Sequence, residues 1–306
     1  LMSDQHDPSS PRFHQWLTPA QFGQNFGVAD ADIAALSAWL GAQGFSVNGV
    51  YPNKLQIDFS GTAGQVRRAF RTQERRYTVN RASHIANDAD ISVPAAFADV
   101  VAGVAGLNDL HPQALRMPFK TATLDPASHR FKPAGAQPAQ ADRVAPEAVT
   151  SSFTNGQRGL APYDLAKIYG ADKLHAAGIT GKGISIAVVE VASMVPEDWK
   201  NFVSTFGLGS YGGSFTQLQP QAKGFANCQD PALNDPGQDF DETLLDAEWT
   251  TAIAPGAHVE VASCANGDNF FGGVITAAVN LVNGDQRPDI ISASYGFGED
   301  AVDAAS

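Results

Sequence analysis

The chain has 306 residues, of which 43% are hydrophobic and 17% are charged. This composition excludes an intrinsically disordered protein, and the length allows two domains that each bury a core. The net charge of −12 disfavours nucleic acid as a partner, and no apolar run approaches the ~20 residues that cross a membrane. We therefore expect neither nucleic acid nor a membrane among the partners.

The negative charge is concentrated in the C-terminal part. Residues 161–306 hold 19 Asp/Glu against 6 Lys/Arg, whereas residues 1–110 hold 10 against 8 and residues 111–160 hold 3 against 6. At acid pH these carboxylates protonate, which relieves their mutual repulsion. The distribution favours a protein that works at low pH.

Residues 1–110 have the pattern of a compact α+β domain. The predicted elements are a helix at Thr18, a helix opened by Asp30 or Asp32, strands at 45–47 and 54–59, a helix at 64–71, a strand at 77–79 and a helix within 94–107. Helices packed on an antiparallel sheet are the expected outcome. No residue of this region stands in a catalytic pattern.

A proline-rich segment follows at residues 111–160. Its six prolines are interleaved with Ala, Gln, Ser and Gly, a composition that builds no packed core. Exposed segments of this kind are where proteases cut. We therefore expect a linker that contains a maturation site.

Residues 161–306 alternate between helices and apolar strands. The strands are predicted at 184–191, 258–261 and 288–296, with helices before, between and after the first two. Such alternation predicts a doubly wound, subtilisin-like parallel sheet. Active sites of these sheets lie at the carboxyl ends of the strands, which is where Glu190 and the run Ser294, Tyr295 and Gly296 fall.

Two acids stand one helical turn apart on the helix between the strands. Glu242 and Asp246 lie on one face of that helix, and in a buried cleft such a pair shares a proton and acts as general base and acid at low pH. The alternative is a solvated acidic face. The sequence of the helix alone does not decide between them.

The two cysteines, Cys228 and Cys264, bracket this helix. Two buried thiols are one interpretation, and a disulfide of an exported protein is the one that the even count favours. The first residues, Leu1 to Asp7, have neither a basic flank nor an apolar stretch, so we expect any export signal to lie outside this sequence.

Several motifs occur in the order found in one peptidase family. They are Tyr163-Asp164-Leu165, Gly178-Ile179-Thr180-Gly181-Lys182-Gly183, Glu242 with Asp246, the Ala-Pro that ends their helix, and Ser292-x-Ser294-x-Gly296. The chain resembles the sedolisins, the serine-carboxyl peptidases, and in particular their kumamolisin-like zymogens. Its first 110 residues are similar to the activation prodomain of these zymogens, which implies a ferredoxin-like α+β fold for residues 1–110.

The resemblance implies roles for individual residues. Glu242 would take the proton of a nucleophilic serine, and Asp246 would orient Glu242 and share its proton. Glu190 would extend this network, although it could equally be a strand-end acid. Ser294, Tyr295 and Gly296 would line the substrate groove, with Tyr295 where relatives often carry tryptophan.

The nucleophile itself is not in the sequence. The family carries it in a Gly-Thr-Ser-x-x-x-Pro motif, and neither that motif nor the oxyanion Asp motif occurs here. We expect both on a C-terminal catalytic fragment beyond Ser306, together with the calcium ligands that the family implies. No metal ligands are predicted within the chain.

The resulting hypothesis is the precursor of a secreted, acid-active serine endopeptidase that cleaves polypeptides and binds its own prodomain. Tripeptidyl-peptidase activity is also open. A catalytically dead binding or inhibitor module is the alternative. A histidine-based subtilisin triad is disfavoured, because no histidine follows the first strand in a Gly-His-Gly-Thr context, and His258 is expected to be structural.

Overall fold

A computed structural model describes the greater part of the chain. The described residues are 1–79, 81–111, 113–114, 122–125, 130–133, 151–152, 158–231, 240–266, 272–285 and 287–296. The described N-terminal elements are helices α1 (Met2–His6), α2 (Pro19–Phe26), α3 (Asp30–Ala42) and α4 (Ala63–Phe70), strands β1 (Ser46–Val50), β2 (Ile57–Ser60), β3 (Glu74–Val79) and β4 (Ala82–Asn87), and a 3-10 turn (Ala95–Phe97).

Capping residues fix where two of these helices begin. The Thr18 hydroxyl accepts a hydrogen bond from the Gln21 amide at 3.2 Å, and the Gln21 side chain accepts one from the Thr18 amide at 2.8 Å. Thr62 and Gln65 repeat this capping box at the start of α4. Each box satisfies backbone donors that the first turn of a helix leaves unpaired.

The apolar residues that recur at helical spacing form the core of this region. Leu40 on α3 and Phe70 on α4 are almost fully buried, and Phe45 and Phe59 pack against them. The apolar residues at helical spacing on α3 and α4 therefore face inward.

Within the described part of residues 1–110, the strands do not form the single sheet that a ferredoxin-like domain requires. The described residues contain two separate antiparallel pairs, β1 with β2 and β3 with β4. The strand predicted at 54–59 begins only at Ile57, because Lys54 adopts a left-handed conformation that extends the turn after β1. The helix predicted within 94–107 is reduced to one 3-10 turn.

Only parts of the predicted linker are described. They are the short strands β5 (Gln113–Ala114), β6 (Ala122–Asp125), β7 (Arg130–Pro133), β8 (Ser151–Ser152) and β9 (Arg158–Gly159). The predicted maturation site was not assigned to a bond, and most of the segment that would carry it lies outside the described residues.

The C-terminal part is the predicted α/β unit. Its elements are α5 (Pro162–Tyr169), α6 (Ala171–Ala176), β10 (Ser185–Glu190), α7 (Pro196–Thr205), a 3-10 turn (Leu208–Tyr211), β11 (Ser214–Leu218), α8 (Phe240–Ile253), β12 (His258–Ser263), α9 (Gly272–Asn283), β13 (Ile290–Ser292) and β14 (Tyr295–Gly296). Strands β11, β12, β10 and β13 form a parallel sheet in that order.

Helices cover both faces of this sheet. Ala187 and Val189 of β10 pack in a core cluster with α9, whereas Val188 packs in a second cluster with α8. Alternate residues of a strand point to opposite faces, so Glu190 lies on the same face as Val188. That is the face on which α8 carries its two acids.

The predicted disulfide is confirmed in the structure: Cys228 is bonded to Cys264. Cys264 follows β12 and is fully buried in the core cluster under α9. The bond therefore ties the loop that precedes α8 to the sheet. None of the helices in the described ranges combines the length and apolarity needed to span a bilayer.

Replacing both cysteines by alanine is expected to lower the free energy of unfolding by about 3 to 4 kcal/mol, because the bond links residues 36 apart and restricts the unfolded chain. Urea unfolding with and without reductant measures this. The reduced wild-type protein should match the double variant. Equal urea midpoints for the oxidised and reduced protein would contradict the assignment.

Candidate active site

Three carboxyl groups meet beside the carboxyl end of β10. Glu190 is the last residue of β10 and is 0% exposed, and Glu242 on α8 is 3% exposed. Asp246 lies one turn further along α8 and is half-buried. The negative charges of Asp246 and Glu242 both act on Glu190, so the predicted acids of helix and strand form one cluster.

Hydroxyl groups from distant segments complete the cluster. The Tyr295 hydroxyl donates to Glu190 Oε2 at 2.8 Å, and the Ser294 hydroxyl donates to Asp246 Oδ2 at 2.6 Å. The Thr243 hydroxyl donates to Glu190 Oε2 at 3.3 Å. Two residues predicted to line a groove thus contact the acids directly.

Burial raises the pKa of Glu190 well above its usual value, and the nearby charge of Asp246 raises it further. The hydrogen bond from Tyr295 opposes this shift by stabilising the ionised form. Burial also raises the pKa of Asp246, opposed by hydrogen bonds from Ser294 and from Glu190. A protonated Glu190 that donates to Asp246 accounts for both directions.

The next acid along α8, Glu248, lies outside this cluster. Burial, helped by the charge of Asp198 on α7, raises the pKa of Glu248 to about 7. Glu248 stands six residues after Glu242, which places it on a different face of the helix from the pair. Its pKa is raised like those of Glu190 and Asp246, but its side chain does not belong to the cluster.

The strand that carries Tyr295 and Gly296 is already paired. In the antiparallel pair of β14 with β5, Tyr295 lies opposite Ala114 and Gly296 opposite Gln113. Residues that directly follow the N-terminal domain therefore cover the strand edge predicted to receive substrate.

The sequence missed these contacts for different reasons. Thr243 was not singled out, although a threonine next to Glu242 on a buried helix was a usable signal. Tyr295 is predicted to line the groove and stands where relatives often carry tryptophan, yet its hydroxyl also supplies the next member of the network. That the Glu242 and Asp246 carboxyl groups lie within hydrogen-bond reach of each other, directly or through one water, stays a prediction.

His258 lies at the other end of the sheet. It is opposite Ser185, the first residue of β10, and its ring nitrogens contact the hydroxyls of Ser214 at 2.8 Å and Thr216 at 3.1 Å. A side chain at the amino end of β12 does not reach acids at the carboxyl end of β10. A histidine-based triad through His258 is therefore inconsistent with the fold.

A cavity of about 840 Å³ lies elsewhere, in the N-terminal region. Leu36 and Trp39 of α3 line it, and it extends to Asn227 and Val279 of the C-terminal part. None of the acids of the cluster lines it. Across the described ranges, no group of three or more His, Cys, Asp or Glu side chains is placed to hold a metal ion.

Known proteins resemble the chain over most of its length. Residues 1–110 match the family described as the pro-kumamolisin activation domain. Over 96% of its length the chain is 32% identical to xanthomonalisin of Xanthomonas sp. (strain T-22). It is 26% identical to sedolisin of Pseudomonas sp. (strain 101) over 96% of its length, and 26% identical to kumamolisin of Bacillus sp. (strain MN-32) over 97%.

A parallel α/β sheet with buried acids at its carboxyl ends follows a region that matches an activation domain. In that region and over nearly its whole length, the chain is similar to zymogens of the sedolisin family. It spans 33% of the length of xanthomonalisin, 44% of sedolisin and 48% of kumamolisin.

The raised pKa values of Glu190, Asp246 and Glu248 make folding favour the protonated groups. This stabilisation is fully present below about pH 4, near the unfolded pKa of these acids, and is lost as the pH rises through the folded values. Since the pKa of Glu248 is about 7, we expect the free energy of unfolding contributed by these groups to fall between about pH 4 and pH 7.

Glu190→Gln is expected to flatten this dependence, because the amide oxygen still accepts from Tyr295 but binds no proton. Urea unfolding at several pH values compares it with Glu197→Gln, a matched change at an exposed acid. The comparison between variants cancels the contributions of the other acids. Identical slopes for Glu190→Gln and the wild type would refute the pKa assignment.

Proposed function

We propose that this chain forms the prodomain and the first part of the catalytic domain of an acid-active serine-carboxyl peptidase. The observation that carries the proposal is the buried cluster of Glu190, Glu242 and Asp246 with its two hydroxyl donors, Ser294 and Tyr295. The substrate is a polypeptide. The nucleophilic serine and the oxyanion Asp are contributed by sequence outside this chain.

In the proposed reaction, the Glu242 carboxylate accepts the proton of the serine hydroxyl while the serine oxygen bonds to the carbonyl carbon of the scissile peptide. The carbon–nitrogen bond then breaks, and Glu242 returns the proton to the leaving amine. Water repeats the sequence on the acyl-enzyme and regenerates the serine. No histidine is needed, and a histidine base would be protonated and inactive at low pH.

Asp246 is proposed to orient Glu242 and to share its proton. The Ser294 hydroxyl donates to one oxygen of Asp246 at 2.6 Å, and the protonated Glu190 stabilises the same carboxylate. These donors favour the ionised form of Asp246 despite its burial. An ionised Asp246 holds the proton of Glu242 when Glu242 is the acid of the pair.

Glu190 is proposed to act as a positioning residue that stays protonated. Its pKa is raised by burial and by the charge of Asp246, so the cluster avoids three adjacent negative charges. The Tyr295 hydroxyl fixes the orientation of its carboxyl group. This leaves the charge of the cluster to Asp246 and Glu242.

The pairing of β5 with β14 supports an inhibited precursor. Substrate peptides are proposed to add to β14 by backbone hydrogen bonds, and β5 occupies that edge. Secretion, endopeptidase specificity and a calcium ion held by the downstream part complete the proposal as expectations from the family. No step of the proposed reaction uses calcium.

Glu242→Ala in the complete enzyme is expected to lower peptide cleavage by about 10²- to 10⁴-fold, because the general base is lost. Acidification of the full-length precursor should give self-cleavage in the wild type and none in this variant. Gel electrophoresis over time follows the cleavage, and kcat/KM on a peptide substrate measures the loss.

Glu248→Gln is the matched control, since it changes an acid of the same helix outside the cluster. It should retain self-cleavage. If the wild-type precursor stays uncut on acidification, or if Glu242→Ala is cut as fast as the wild type, the proposed mechanism is wrong. A wild-type precursor that stays uncut and shows no activity on the peptide substrate would favour a catalytically dead binding module.

A further inference from the structure

A tyrosine of the N-terminal domain is buried in the C-terminal part. Tyr51 directly follows β1 and is only 5% exposed, although it begins a surface turn. Its ring stacks on Phe225 with the ring centroids 3.8 Å apart and the planes 8° apart. Ala222 and Val279 complete the apolar surroundings. The contact joins the activation domain to the α9 side of the sheet.

The hydroxyl of Tyr51 closes a hydrogen-bonded network of amides. Asn227 Nδ2 donates to it at 2.8 Å, and it donates to Asn280 Oδ1 at 3.4 Å. Asn280 Nδ2 in turn donates to Asn227 Oδ1 and to the Pro220 carbonyl, both at 2.8 Å. The two amides are therefore oriented by each other and present one donor and one acceptor to a hydroxyl group.

Both sides of this contact are held rigidly. The Tyr51 amide bonds to the Gln56 carbonyl, and the Tyr51 carbonyl accepts from the Lys54 amide, which fixes the turn. Opposite it, the Cys228–Cys264 bond anchors the loop that carries Phe225 and Asn227. Two preformed surfaces lose little conformational entropy when they meet.

The neighbouring backbone is adapted to the same contact. A Cβ atom added at Gly49 would lie 2.9 Å from the Phe225 ring. The absence of a side chain at Gly49 lets β1 approach the loop closely enough for Tyr51 to enter. The strand register between β1 and β2 also shifts at this point.

Ion pairs do not contribute to the contact between the N-terminal domain and the C-terminal part within the described residues. Among the ion pairs between described residues, none joins residues 1–110 to residues 161–296, and Arg75 pairs with Asp88 inside the N-terminal domain. The arginines at 67–76 thus form no ion pair with residues 161–296 within the described part of the chain. An aromatic ring in a desolvated socket is the kind of group that carries most of an interface's binding energy.

We propose that Tyr51 is the anchor by which the prodomain stays docked on the catalytic part after the linker is cut. Its recognition surface is the socket of Ala222, Phe225, Asn227, Val279 and Asn280. The proposal rests on the proposed function only in treating residues 1–110 as a segment that activation releases. On this proposal, release of the prodomain is complete when the Tyr51 side chain leaves the socket.

The test starts from the full-length precursor with Glu242→Ala, which keeps it from cutting itself. A recognition site for an added protease is placed in the proline-rich segment, the chain is cut there, and dissociation of the two pieces is measured. Tyr51→Ala is expected to raise the dissociation constant about 30-fold or more, and Tyr51→Phe about 10-fold, because two amide groups lose their partner.

Tyr77→Ala removes a 40% exposed tyrosine of the same domain and is the matched control, expected to leave dissociation unchanged. Asn227→Ala combined with Tyr51→Phe closes a double-mutant cycle, in which the two effects should not add. Circular dichroism checks folding, and if Tyr51→Ala does not fold, the cycle still decides.

Equal dissociation of the wild type and the Tyr51→Phe variant, with additive effects in the cycle, would overturn the proposal. The outcome is separate from that of the proposed function, because the measurement uses an inactive variant and an added protease. If the complete enzyme proved inactive, the proposal for Tyr51 would still stand. If Tyr51 proved unimportant for docking, the proposed role of Glu242 would still stand.

Discussion

The burial of the Glu190 carboxyl group at the end of β10 is the constraint on which the acid cluster depends. A carboxylate without solvent is costly unless it is protonated or well paired. Here burial raises the pKa of Glu190, which favours its neutral form, and Tyr295 donates a hydrogen bond to one of its oxygens. Because β10 lies between β12 and β13, its end is enclosed by the sheet and by α8, so no water shell replaces these partners.

Local patterns were enough to predict the elements that carry the acids. The apolar run at 184–191 and the spacing of Glu242 and Asp246 are local signals, and β10 and α8 follow them. The contact of Tyr295 with Glu190 joins residues 105 positions apart, and Tyr51 reaches Asn280 across 229. Propensity and periodicity carry no information about such pairs, which packing alone decides.

The distinction between local signals and long-range contacts also explains which predictions for the N-terminal domain were wrong. Its helices were predictable because the caps at Thr18 and Thr62 and the buried positions on α3 and α4 are encoded within a few residues. Its sheet was not, since strand pairing depends on turns such as the one at Lys54, whose left-handed conformation shortens β2. A longer turn changes which strands can meet.

The acid cluster and the socket for Tyr51 lie on opposite faces of the sheet. The face under α8 holds the acids, and the side of α9 holds the socket for Tyr51. The disulfide lies on the α9 side and joins the loop of the socket to the residue after β12. Substitutions at the socket are therefore separated from the acids by the thickness of the sheet, so docking and chemistry can vary independently.

The pairing of β5 with β14 also sets a threshold for any competing peptide. A strand tethered to its binding site acts at an effective concentration on the order of millimolar. A free peptide at micromolar concentration cannot displace it, even when both make the same backbone bonds. Once the tether is cut, that advantage disappears and the two compete on affinity alone. For the proposed precursor, the short strand Gln113–Ala114 thus sets the concentration at which free peptides compete for β14.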